Sequence, residues 1–254
     1  MNLNRQQTSA YRISNDNAVG IRRSFLPSED LIPMRSRFAL PAAAVAIAVL
    51  AIGCGTGDDW SQPHAEPTPI GTLGSGFVTP STPPSPEATI TPTPGSWDGV
   101  RPSAGYRVVL LTAGDDAQTR TLVDAVTGWA EENEVDMRTI EPTDPHQYIA
   151  SISQAIKLKP DLVISAGNDL IDPLTTVTAN HLDQQFLVVG AELAEPTENV
   201  TAADWAGASF RGEGLGMSST YDAASFTPER AARAVRAGVA AVLSGWTGIV
   251  VWLD

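Results

Sequence analysis

What most constrains this chain is a set of short, nearly unbroken apolar runs in its C-terminal part. Tyr106-Arg107-Val108-Val109-Leu110-Leu111-Thr112, Asp161-Leu162-Val163-Ile164-Ser165, Gln185-Phe186-Leu187-Val188-Val189-Gly190 and Ile249-Val250-Val251-Trp252-Leu253 show little polar–apolar alternation. Runs of this kind suit strands buried on both faces, which calls for a parallel sheet covered by helices. Val135–Ile140 does alternate and predicts an edge strand; Val200–Asp204 predicts a short further strand. The intervening segments have helical spacing. Leu122, Val126 and Trp129 share a face, then Ile149, Ile152 and Ile156, stopped by Pro160. Leu170, Leu174, Val177 and His181 form a third stripe behind a cap at Asn168 or Asp169. Thr227-Pro228-Glu229 opens a fourth helix, with Ala231, Val235, Gly238, Val239 and Val242 on one face and Arg230, Arg233 and Arg236 on a solvated one. Gly245 is the expected stop. Residues 205–226, with Gly207, Gly212, Gly214 and Gly216, read as a loop. Residues 105–254 are thus expected to be one α/β domain, a doubly wound, mostly parallel sheet of five or six strands.

Upstream the composition changes. Ten of the 19 prolines fall between Gly55 and Ser103, as in Pro80-Ser81-Thr82-Pro83-Pro84-Ser85-Pro86, and apolar residues are sparse and aperiodic. Residues 54–104 are therefore expected to be a disordered tether with polyproline character, spanning about 40 Å as a coil. Trp60 and Trp97 read as incidental to it.

Cys54 is the only cysteine, so no internal disulfide is available. Arg35 and Arg37 precede an apolar run from Phe38 to Leu50, and Ala51-Ile52-Gly53 leads into the cysteine. At about 15 residues the run is short for a spanning helix and fits a secretory core. Residues 34–53 resemble a bacterial lipoprotein signal peptide. The resemblance implies that Cys54 carries diacylglycerol and palmitate and becomes the first mature residue, anchoring the protein at the outer face of the cell membrane. Ala51 stands where such signals more often have leucine. Residues 1–33 are polar and Arg-containing without an apolar period. They read as a non-native or disordered extension, with translation starting at Met34 or at Met1.

The net charge is −13; residues 1–53 hold six Arg and three acids, leaving −16 for the rest. Such a chain is poorly suited to nucleic acid or to an anionic membrane surface without a lipid. His64, His146 and His181 lack metal-ligand spacing, and no cofactor is implied. No Gly-x-Gly-x-x-Gly, P-loop or Gly-x-Ser-x-Gly motif is present, so the chain does not read as an enzyme.

Ligands of open α/β sheets bind at the carboxyl ends of the strands. The candidates there are Asp115, Asp116, Asn168, Asp169, Glu192, Asp204 and Trp205. They supply acceptors and an aromatic face without lysine, suited to a hydroxyl-rich or cationic solute; as plain structure, each acid would be a cap or turn residue. Asp161–Gly167, Phe186–Gly190, Asn199-Val200-Thr201 and Ala237–Leu243 together resemble the first lobe of type I periplasmic binding proteins. The nearest resemblance is to the basic membrane lipoproteins, substrate-binding lipoproteins of ABC transporters, several of which take up nucleosides. It covers roughly Tyr106–Leu253 and implies a nucleoside or sugar receptor working with an ABC permease. In place of that family's aromatic–Asn ligand loop stands Ala113-Gly114-Asp115-Asp116. A second lobe is not recognised, so a cleft would need a homodimer or a partner. The alternative is a single lobe acting as an envelope interaction or sensing module.

Overall fold

Side chains of β2 (Arg107–Thr112) enter two cores in turn. Val108 and Leu110 join one, Val109 and Leu111 the other, as alternation across a doubly covered strand requires. The computed structural model describes residues 59–64, 67–78, 84–194, 196–210 and 220–254, all within one compact unit, Cys54–Asp254. Cys54 itself, the 34–53 signal, the 1–33 extension and the glycines 212, 214 and 216 lie outside the described residues.

Seven parallel strands form one sheet in the order β1-β9-β7-β5-β4-β2-β3. They are β1 (Thr89–Ile90), β2, β3 (Asp136–Ile140), β4 (Leu162–Ala166), β5 (Phe186–Val189), β7 (Val200–Trp205) and β9 (Val250–Leu253). A separate parallel pair joins β6 (Ala191–Glu192) to β8 (Ser209–Phe210). The alternating segment is an edge strand as expected, with Val109 opposite Arg138 in register. The count exceeds the expected five or six because β1 adds an edge beside β9, Thr89 opposite Val250.

Helices α1 (Ala117–Glu132) and α4 (Pro228–Leu243) cover one face; α2 (Tyr148–Lys157) and α3 (Ile171–Thr178) cover the other. Thr227 caps α4, its hydroxyl accepting from the Arg230 N–H at 3.3 Å. Gly245, at φ 77°, ends it. Gly245 N–H donates to Val242 and Trp246 N–H to Ala241, the paired bonds of a left-handed helix stop. Helix α1 ends the same way through Glu134, at φ 51°, with Val135 N–H donating to Ala130. Two helical expectations are corrected. Ile149 is 53% exposed, because the buried stripe of α2 runs through Ser151, Ile152 and Ala155. Helix α3 stops before His181, and its cap position is Leu170, with no side-chain cap.

The tether expectation is also corrected: residues 67–78 and 84–103 pack on the sheet. Ile70 and Arg101 exchange backbone bonds of 2.8 and 3.0 Å, Gly74 N–H donates to Ser96 and Thr93 N–H to Gly76. Phe77 and Trp97 are 2% and 4% exposed and meet edge to face, ring centres 6.5 Å apart, inside the α1–α4 core. Pro92 and Pro102 are buried, which costs no donor because proline has none. A few deeply seated aromatics, with backbone bonds between them, hold a segment whose average composition reads as unfolded. Among the described residues no helix is long and apolar enough to cross a membrane.

Candidate functional site

Because the sheet is parallel, every strand presents its carboxyl end on the same side. The chain leaves β2 into α1 on one face and β4 into α3 on the other, so a crevice opens between these neighbouring strands. Gly114 sits in it. A Cβ there would lie 3.1 Å from Asp169 Oδ2 and 3.6 Å from Asp116 Oδ2, so the two strand-end loops bring these carboxylates together beside a position kept open by the missing side chain.

Asp116 caps α1. It accepts from the N–H groups of Gln118 and Thr119 at 3.0 and 2.9 Å and from Thr119 Oγ1 at 2.6 Å. Partial burial opposes its charge, but these hydrogen bonds prevail and hold the carboxyl below its ordinary range. Asp115 is exposed, and its backbone carbonyl accepts from the Arg120 guanidinium. Asp169 is exposed and Asn168 half-buried, its carbonyl accepting from the Ile171 N–H at 3.3 Å.

Further along the sheet lies a buried carboxyl pair. Glu192 on β6 and Asp204 on β7 are 4% and 1% exposed and hydrogen-bond to each other. Burial, then the Glu192 charge, pushes Asp204 up to about 9; burial also raises Glu192, against the hydrogen bond from Asp204. The pair thus shares a proton at neutral pH. Glu192 Oε1 and Asp204 Oδ1 have no hydrogen-bond partner.

Trp205, expected to offer a stacking face, does not. It is 1% exposed, its Nε1–H donates to Ser225 Oγ at 3.0 Å, and Phe226 packs edge-on at 5.1 Å. Strand β7 runs one residue further than expected, and parity then turns Trp205 into the same core as Ala203. The exposed aromatic at this end is Tyr221, 51% exposed and 5.9 Å from the Phe226 ring. Burial and the charges of Asp116 and Asp222 raise its hydroxyl. Tyr148 is half-buried, and its hydroxyl is raised by burial and by Asp169 and Asp144. The charges of Asp116 and Asp169 thus reach both tyrosines. Sequence reasoning missed them: Tyr221 lies in the segment read as loop, and Tyr148 opens a helix whose isoleucines took the attention. Among the described residues no group of three metal-ligating side chains occurs. Carboxylate acceptors and phenol hydroxyls can together accept from and donate to the hydroxyls of a small solute.

Two cavities lie elsewhere. One of 260 Å³ runs between α1 and α4, lined by Asp124, Trp129 and Arg236, and one of 480 Å³ lies between residues 75–78 and β1.

No family model matches the chain, and no curated protein does. Solved structures share similarity with parts of it. An ABC transporter solute-binding protein of Aeropyrum pernix is 20% identical over 40% of this chain and 29% of its own, with a TM-score of 0.36. A periplasmic ribose ABC transporter protein of Conexibacter woesei is 16% identical over 60% of this chain and 55% of its own, TM-score 0.34. A fragment from Peptoclostridium difficile, provisionally described as a lipoprotein, is 18% identical over 54% of this chain and 97% of the fragment, TM-score 0.40. The chain thus spans about a third to a half of the length of the solute-binding proteins it is similar to.

Proposed function

We propose that this protein is a lipid-anchored, extracytoplasmic solute-binding module for a small hydroxyl-rich molecule, a sugar or a nucleoside, serving ABC-type uptake. One observation carries the reading: Asp116 and Asp169 converge on Gly114 in the crevice between β2 and β4, where open parallel sheets hold ligands. The charges of the rim reach Tyr221 and Tyr148, and Glu192 and Asp204 are buried on β6 and β7. The anchor is Cys54, on the resemblance of the preceding residues to a lipoprotein signal.

A thermal-shift panel of sugars and nucleosides tests the site. A true ligand at 100 times its dissociation constant adds about 2.7 kcal/mol, a clear shift. No shift from any member, on a folded sample, overturns the solute reading. Feeding a palmitate analogue tests the anchor: the protein takes the label, and Cys54→Ser does not. Equal sedimentation of both with envelopes overturns it.

The described residues build one large sheet and a small parallel pair, which supports reading them as one wall of a clamp. That favours a second reading, an envelope interaction module. Light scattering with and without a hit from the panel separates the two: a ligand-dependent dimer rebuilds the clamp, whereas an unchanged monomer with no hit fits the module.

A further inference from the structure

The carboxyl ends of the strands carry the candidate site; their amino ends carry something else. Residues 59–64 cross the amino ends of β2, β3 and β4 as a strap, bonded at each. Trp60 Nε1–H donates to Asp136 Oδ2, on the first residue of β3, at 2.6 Å. Its ring, 6% exposed, packs in the α2–α3 core, with the Arg138 and Arg107 guanidinium groups 4.3 and 5.6 Å from its centre. Arg107, the first residue of β2, donates from its guanidinium to the Gln62 carbonyl at 3.1 Å. His64 Nε2 lies 2.8 and 3.0 Å from the Asp161 carboxylate, just ahead of β4, and that carboxylate also accepts from the Arg107 N–H at 2.7 Å. Three neighbouring strands are thereby tied to one short segment through an aromatic, a backbone carbonyl and a histidine.

The position of this segment in the chain gives the strap its meaning. Asp59 follows Cys54 by five residues, a reach of at most about 18 Å even when fully extended. We infer that the strap is a short leash: it holds the amino ends of β2–β4 toward the bilayer and turns the candidate solute site outward. This rests on the anchor at Cys54. It replaces the long, freely swinging tether that the proline content suggests with a fixed presentation of the domain. The strands are about 20 Å long, so the two ends stand at clearly different heights above the lipid.

The test uses the full-length lipoprotein reconstituted in phosphatidylcholine vesicles that carry an energy acceptor on their headgroups. A donor dye is placed on Asp183→Cys, in the exposed turn ahead of β5, or on Asp115→Cys, at the exposed carboxyl end. The expected result is stronger transfer from the 183 dye than from the 115 dye. Inserting a twelve-residue Gly-Ser segment after Gly55, ahead of the strap, is expected to abolish the difference, with an unchanged urea midpoint as the control for folding. Trp60→Ala is expected to abolish it as well, and Trp60→Phe, which keeps the ring under the arginines, to retain it. Equal transfer from both dyes in floating, unlengthened protein overturns the leash alone, as does a difference that survives the insertion. Failure to float with the vesicles overturns the anchor, and the leash with it.

Discussion

Asp204→Asn offers the sharpest check on the buried carboxyl pair. In the unfolded chain an aspartate titrates near 3.9, whereas in the fold burial and Glu192 push Asp204 up to about 9. A carboxyl raised in this way contributes stability that is complete below about pH 4 and is lost as pH climbs through about 9. Between pH 5 and 8 the native state holds one more proton than the unfolded state at this residue. Stability should fall by about 1.4 kcal/mol per pH unit on that account, or roughly 4 kcal/mol across the interval. Asparagine reproduces the protonated acid, including a donor toward Glu192, without being able to ionise. Urea unfolding of parent and variant at each pH should give nearly equal stabilities at about pH 4 and a variant advantage that widens with pH. Histidine titration cancels in the difference. Parallel curves would refute the shared proton.

Phe77→Ala should cost about 3–5 kcal/mol in urea unfolding, because the ring fills the α1–α4 core; a change below about 0.5 kcal/mol would put residues 67–78 off the fold. Gly190→Ala should cost at least about 2 kcal/mol, since φ is 76° and the new Cβ would meet Phe226, Leu122 and Trp205 at 3.0–3.2 Å. Glu134→Gly should raise stability by roughly 0.5–1 kcal/mol, measured the same way, by relieving a left-handed residue at the end of α1. Asp116→Ala should cost about 1 kcal/mol through loss of the α1 cap, while Asp116→Asn, which can still cap, should cost less; equal costs would point to charge rather than the bonds to residues 118 and 119.

The sheet and its four helices were legible because burial on two faces leaves an unbroken apolar run, and a helix lying on a sheet leaves a stripe. The fold of residues 67–103 was not. Phe77 and Trp97 are anchored singly, between backbone bonds rather than within a helix or a long strand, so no period marks them. Prolines that read as disorder are accommodated where no donor was needed. At the candidate site, the loop acids stand out by their position after strands, and the cap or turn role that such positions also allow is the one Asp116 takes. Asp116 is engaged as a cap, and Asp204 faces the opposite side of the sheet from Trp205. Alternation from Ala203 held the clue that Trp205 points inward, had the strand been extended by one residue. Tyr221 left no trace, because its place is set by Phe226 and by the bond from the Asp222 N–H to Gly207, which only the folded chain brings together.

The edge formed by β1 also bears on the order of assembly. Thr89 and Ile90 can hydrogen-bond only to Val250 and Val251, which themselves rest on Ala202 and Ala203. A segment made early must therefore wait for the last strand before it has anywhere to settle, and the loop it closes is nearly as long as the folded chain. This edge of the sheet is therefore complete only once two segments about 160 residues apart in the chain have met.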